Sequence, residues 1–196
     1  MENMLQNINS LGLETSLTLD DIPNIDLYMD QVIQLFENNF NDSKRNQEDK
    51  ILTKTMINNY AKGKLIFPIQ NKKYSREHLI LMSLIYQLKG ALSINDIKVT
   101  LSDINQKIIN DEIDLDSFYT SYLQLTGQNV IDLKKDMEER VKDVKKEISE
   151  AKEEDSGNLE QVLMISSLVH MSNLYRRVAE KLVDELVVDK EGKRQK

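Results

Sequence analysis

The spacing of apolar side chains divides the chain into helical stretches separated by short polar breaks. After Pro23, Tyr28, Met29, Val32, Ile33, Phe36 and Phe40 recur at intervals that place them on one face of an amphipathic helix. Residues 41–50 contain no apolar side chain and read as a loop. Thr53 can then cap a short helix through Lys62, which Gly63 can end in the left-handed conformation. Leu65 to Phe67 and Lys73 to Tyr74 flank Pro68 to Lys72 and are expected to form a short β-ribbon. Ser75 caps a strongly apolar helix carrying Leu79, Leu81, Met82, Leu84, Ile85, Tyr86 and Leu88, closed by Gly90. Ser93 with Asp96 resembles a capping box and opens the next helix, with Ile94, Ile97, Leu101 and Ile104.

The last third differs in kind. A short segment around Phe118 to Leu125 ends at a break expected at Gly127, and residues 129–154 then form a highly charged helix. Its apolar positions Met137, Val141, Val144, Ile148 and Ala151 follow a heptad spacing. That seam suits a partner helix, and it equally suits a helix lying on its own domain. Asp155-Ser156-Gly157-Asn158 breaks the pattern, and Leu159 to Val188 forms a second long helix with Leu168, Met171, Tyr175, Val178 and Leu182 in register. Val162, Leu163, Ile165, Val169 and Leu174 lie on its other sides, which asks for more than one neighbouring helix. The tail, 189–196, is expected to fray. Residues 1–21, polar and rich in Asn, read as a flexible arm. The organisation expected is an arm (1–21), a helix-turn-helix with a wing (22–104) and a helical dimerisation or effector region (105–196). The fold class is all-α, mainly helical, with a small β-wing.

Composition narrows the function. Two Pro and six Gly in 196 residues favour long helices over a many-stranded sheet. No cysteine is present, which excludes a disulfide framework, a thiolate metal site and a cysteine nucleophile. Met1 to Leu19 has acids in place of a basic leader region, and no apolar run is long enough to span a membrane. A cytoplasmic protein without a membrane segment is the expectation. The net charge of −7 is unevenly spread. Residues 1–43 hold eight acids and no Lys or Arg, whereas residues 44–98 hold eleven Lys or Arg against four acids. An acidic protein with one basic island concentrates its attraction for polyanions there.

The order of features within that island resembles the MerR family of bacterial transcription regulators. The residues that carry the likeness are Thr53 through Tyr60, Lys64-Leu65-Ile66-Phe67-Pro68, Lys72-Lys73-Tyr74-Ser75, and Gly90 to Ile97 with Leu101. In that family a recognition helix ending in tyrosine precedes a Gly-Leu-Leu-x-Pro strand, a basic wing, a Tyr-Ser helix start and a further helix. The resemblance implies a winged helix-turn-helix, a double-stranded DNA partner and a homodimer formed by antiparallel pairing of long helices. This chain departs from the family pattern by having Asn58 at a usual arginine, Asn59 at a second tyrosine, and Lys73 where arginine is common. The segments Leu27 to Gln31 and Ile51 to Tyr60 also resemble a bacterial family known only as a domain of unknown function.

The chemistry of the residues can be weighed apart from the likeness. On a helix after Thr53, Lys54, Thr55, Asn58, Asn59 and Lys62 point away from Met56, Ile57 and Tyr60. Asparagine can pair with adenine N6 and N7 in the major groove, so Asn58 and Asn59 are the candidate base readers. Lys54, Lys62, Lys64, Lys72, Lys73 and Arg76 suit phosphates, which fix position. Asn71 to Lys73 can reach the flanking backbone or minor groove, and the Tyr60 and Tyr74 hydroxyls can touch phosphate. Met137, Val141, Val144, Ile148, Leu168, Met171 and Tyr175 are the candidate dimer interface. No catalytic, cofactor or metal residues are assigned. His78 reads as an early-helix surface residue, and it and His170 lie on different helices without a ligand partner one turn away. There is no phosphate-binding Gly-rich loop, and Asp111 to Asp116 and Glu150 to Asp155 lack a calcium-loop pattern. The resulting expectation is a sequence-specific transcription regulator with no enzyme activity, open to a small-molecule effector that the sequence does not identify. The alternative is a helical interaction adaptor whose module has lost DNA binding and uses the same surface on an acidic partner.

Overall fold

The computed structural model describes residues 8, 11–150 and 156–194, with 156 and 189–194 as backbone alone. It is mainly helical. In chain order it contains β1 (Leu27–Tyr28), α1 (Met29–Phe40), a 3-10 turn (Asn41–Ser43), α2 (Lys54–Lys62), β2 (Lys73–Tyr74), α3 (Arg76–Leu88), α4 (Ile94–Ile109), α5 (Leu115–Glu150) and α6 (Ser156–Arg194). The described residues form two compact units, one comprising 15–123 and 180–194 and the other 8, 11–14, 124–150 and 156–179.

The first unit is built around α3. Residues His78 to Ile85 are all buried, so this helix has no solvent face along two turns and must be covered on every side. Val32, Phe36 and Phe40 of α1, Ile57 and Tyr60 of α2, Ile97 and Leu101 of α4, and Tyr119 of α5 join it in one core. Leu17, in the segment expected to be a loose arm, is fully buried there as well. The Tyr119 hydroxyl donates to the Leu17 carbonyl at 2.7 Å and pairs with Ser83 at 2.8 Å. Burial pushes its pKa up to about 12.

Helix starts follow the capping chemistry legible in the chain. Thr53 Oγ1 accepts from the Met56 amide at 3.2 Å. Ser93 and Asp96 exchange side-chain and backbone bonds, both at 3.2 Å. The start of α3 is different, because its third residue is His78. The Ser75 amide donates to His78 Nδ1 at 3.1 Å, which leaves the proton on Nε2, 3.3 Å from the Phe67 carbonyl. The ring stacks on Phe67 at 3.8 Å and meets the edge of Tyr74 at 5.9 Å. His78 is therefore a buried cap and not a surface residue.

Three further expectations are corrected. Lys73–Tyr74 pairs antiparallel with Leu27–Tyr28, and Leu65 to Phe67 is not a strand. Gly63 has an ordinary right-handed φ of −72°, and it is Lys64, with φ of 57°, that takes the left-handed position. Gly127 breaks nothing, because α5 is continuous through it. One glycine costs a helix about 1 kcal/mol against alanine, too little to interrupt one of this length.

In the second unit, Met137, Val141 and Val144 of α5 are buried with Ile8 and Met164, against a half-buried Leu168 of α6. Arg140 donates to Asp136 at 2.6 Å and to Ser167 at 3.0 Å, tying the two helices together. The heptad seam is thus occupied inside one chain. Residues 151–154 of the expected charged helix and Asp155 of the expected break fall outside the described residues, while Ser156 to Asn158 of that break are already helical. The second helix starts at Ser156 and runs on to Arg194, beyond the end expected at Val188.

Two outcomes follow from this packing. A Cβ added at Gly127 meets nothing within 4 Å, and the residue is exposed. Gly127→Ala should stabilise the chain by about 0.5–1 kcal/mol in urea unfolding, and a loss of stability would show that the helix needs glycine there. Burial lowers the pKa of His78, against the opposing Phe67 hydrogen bond and the charges of Glu77 and Asp26. The unfolded chain then binds this proton more readily than the folded one. Stability from His78 is complete above its ordinary pKa of 6.5 and declines as pH falls from there toward the depressed folded value. The urea midpoint should fall on acidification through this window in the wild type and fall less in His78→Gln. Equal slopes in the two proteins would contradict the assignment.

Candidate nucleic-acid interface

Helix α2 is short and its two faces differ sharply. Ile57 and Tyr60 are buried and Met56 is half-buried, while Lys54, Thr55, Asn58, Asn59 and Lys62 are exposed. Each of these faces is the one expected from the sequence. The helix closes with the Leu65 amide donating to the Tyr60 carbonyl (2.9 Å) and the Lys64 amide to the Ala61 carbonyl (3.1 Å). This closure turns Lys64 outward. Gly63 is needed for space, since a Cβ there would lie 2.7 Å from Leu65 Cδ1 and 3.0 Å from the Asn59 carbonyl oxygen. Asn105 of α4 then donates to the Leu65 carbonyl at 2.9 Å, anchoring the exit of α2 to the core.

The next element is a tight turn. Asn71 and Lys72 have φ of 50° and 59°, and the Lys73 amide donates back to Gln70 at 2.9 Å. Two successive left-handed residues make the primed turn that suits strand twist. Asn71 and Lys72 sit exposed at its tip. Lys73 is half-buried, with its ammonium 5.2 Å above the Tyr28 ring.

Not all of the basic island faces outward freely. Arg76, expected at phosphate, is held by Asp116 at 3.1 Å and by the Leu19 and Ile22 carbonyls at 3.3 Å each. That places it in the support of the fold. Lys44 is paired with Glu37, and Lys89 donates to the Ile51 carbonyl at 3.1 Å beside the Tyr86 ring. Lys54 pairs with Asp30 at 2.8 Å, but both groups are exposed, so this contact is weak and exchangeable. Tyr60 and Tyr74 are buried, and burial raises the pKa of each. They anchor α2 and β2 and offer little to a ligand.

One residue at this surface escaped the sequence reading. Tyr28 was expected on the buried face of the first helix, but it lies on β1 opposite Lys73 and is exposed. Period-three and period-four spacing cannot separate a helix start from the end of a two-residue strand. Of the residues expected at a dimer interface, Met137, Val141 and Val144 are buried within the chain, Ile148, Leu168 and Met171 are half-buried, and Tyr175 is exposed. Among the described residues no His, Cys, Asp or Glu cluster could hold a metal ion. No described helix is long and apolar enough to cross a membrane.

No curated protein and no solved structure matches the chain. Residues 17–122, which contain α2, the turn and the core that supports them, match the model of a family described as Domain of unknown function (DUF1836). That match spans more than half of the sequence, and the chain belongs to the DUF1836 family.

Proposed function

We propose that this chain is a sequence-specific, double-stranded DNA-binding transcription regulator of MerR-like winged helix-turn-helix type, acting as a homodimer. The observation that carries the reading is the division of α2, whose Ile57 and Tyr60 are held in the core while Lys54, Thr55, Asn58, Asn59 and Lys62 face solvent. An exposed α-helix with that face fits a major groove, and two adjacent asparagines offer bidentate contacts to adenine. The Asn71-Lys72-Lys73 turn serves as the wing. With Arg76 committed to the fold, five cations remain for phosphate: Lys54, Lys62, Lys64, Lys72 and Lys73. The reading assigns the protein no catalysis and no cofactor.

A second reading is a helical interaction adaptor that uses this surface on an acidic protein. It is favoured by the capture of Arg76 by Asp116 of the same chain, which leaves fewer cations for a phosphate backbone. Such an adaptor needs no preference among duplexes.

Binding of the full chain to duplex DNA should fall with salt at a log–log slope of about −4.5 per bound protomer if all five cations engage. Replacing Lys72 and Lys73 together by Ala should weaken binding to every sequence and make the slope shallower by about two per protomer. Asn58→Ala or Asn59→Ala should cost about 1–3 kcal/mol at a preferred site and much less on bulk DNA. Equal losses on specific and bulk DNA would refute base reading by α2, and an unchanged lysine double variant would remove the wing.

The dimer in this proposal has to use a surface other than the occupied seam. Val162, Ile165 and Val169 of α6 are each more than half exposed and lie along one flank of the helix. Light scattering at micromolar concentration should show a dimer for the wild type and a monomer for Ile165→Glu with Val169→Lys, at unchanged helicity. A monomeric wild type would end the dimer proposal.

A further inference from the structure

One exposed aromatic side chain stands beside the lysine-bearing turn without a part in the core: Tyr28, 55 % exposed. Tyr28 is directly opposite Lys73 in the antiparallel pair. The two side chains therefore share one face of the ribbon, while their neighbours Leu27 and Tyr74 fill the buried face. The Lys73 ammonium lies 5.2 Å from the ring centroid, within cation–π range. Two residues along the chain, Asp30 contacts Lys54, the first residue of α2. The segment that carries Tyr28 thus meets both basic elements, the ribbon next to the turn through Tyr28 and α2 through Asp30.

The charges around it limit what it can do. Asp26 and Asp30 flank the ring in sequence and both are exposed, so this junction repels phosphate more than the lysines on either side do. A nucleic acid spanning α2 and the turn must cross this point by a contact that does not depend on charge. An exposed tyrosine offers one, since its ring is apolar and its hydroxyl can donate to an oxygen.

We infer that Tyr28 is a further contact to duplex DNA, its ring packing on a backbone sugar between the groove read by α2 and the phosphates held by the turn. This inference rests on the DNA-binding reading and adds a non-ionic contact to it. Its signature separates it from the lysines. Removing a lysine that neutralises phosphate reduces counterion release and so the salt slope, whereas removing an aromatic contact lowers affinity at every salt concentration equally.

The experiment measures affinity of the full chain for a preferred duplex and for a random duplex over a range of salt, using Tyr28→Ala, Tyr28→Phe, Tyr28→Leu and Lys73→Ala. Tyr28→Ala should bind about five- to tenfold more weakly with an unchanged slope. Tyr28→Leu, which keeps apolar bulk on the strand, should lose nearly as much, and Tyr28→Phe should keep most of the affinity. Lys73→Ala should make the slope shallower by about one per protomer. Far-UV circular dichroism and thermal midpoints equal to wild type show that the losses are local. Wild-type affinity in both Tyr28→Ala and Tyr28→Leu overturns the contact while leaving DNA binding intact. A slope reduced as much as in Lys73→Ala also overturns it, because the ring then only supports the lysine. A wild type with no affinity for any duplex removes the contact together with the reading beneath it.

Discussion

Eight consecutive buried residues, His78 to Ile85, impose the main constraint on the first unit. A helix without a polar stripe cannot rest on one neighbour, and the remaining elements are arranged to enclose it. α1, α2, α4 and the start of α5 each contribute apolar side chains to that enclosure. Leu17 is drawn in from a polar stretch for the same reason, and Tyr119 secures it through the Leu17 carbonyl. At the N-terminal end of α3, His78 joins three pieces at once: the Ser75 cap, the Phe67 segment after α2, and Tyr74 of the ribbon. The segment that follows α2 and the ribbon next to the lysine-bearing turn are fixed to the core at this imidazole. A candidate surface made of a helix and a turn is held by the same burial that stabilises the unit.

Electrostatics are more divided than the sequence total implies. The concentration of cations in residues 44–98 remains the dominant asymmetry of the chain. Yet Lys44, Arg76 and Lys89 are used to fasten loops and helices to one another. Among the lysines outside these contacts, Lys64 is placed by the closure of α2, and Lys72 and Lys73 by the primed turn. Both placements need unusual backbone at non-glycine residues, with Lys64, Asn71 and Lys72 at positive φ. Such conformations carry a local cost that the surrounding hydrogen bonds must offset.

Local chemistry was readable along the chain, and long-range pairing was not. Thr53, Ser75 and Ser93 mark helix starts because a side-chain oxygen or a reciprocal partner lies within a few residues of each. The two faces of α2 follow from periodicity alone. The partner of Lys73–Tyr74 was misread because Leu27–Tyr28 lies more than forty residues earlier in the sequence and is only two residues long. Arg76 looked like a phosphate ligand since its partner Asp116 is forty positions away. His78 was hidden because its burial depends on Phe67 folding back over it. The heptad seam of α5 was correctly placed as an apolar stripe, but spacing cannot say whether the covering helix belongs to the same chain, and here Met164 of α6 does the covering. Gly127 misled for another reason, as the propensity of one residue is small against the continuity of a 36-residue helix.

The central claim is that the exposed face of α2 reads bases in duplex DNA. Selection of duplexes from a random library by the full chain at physiological salt, followed by sequencing, tests it most directly. The account predicts enrichment of a motif containing adenines, repeated in inverted order with half-sites about one helical turn apart or a multiple of it. A library that stays random through successive rounds, with retention that depends on salt alone, would contradict it.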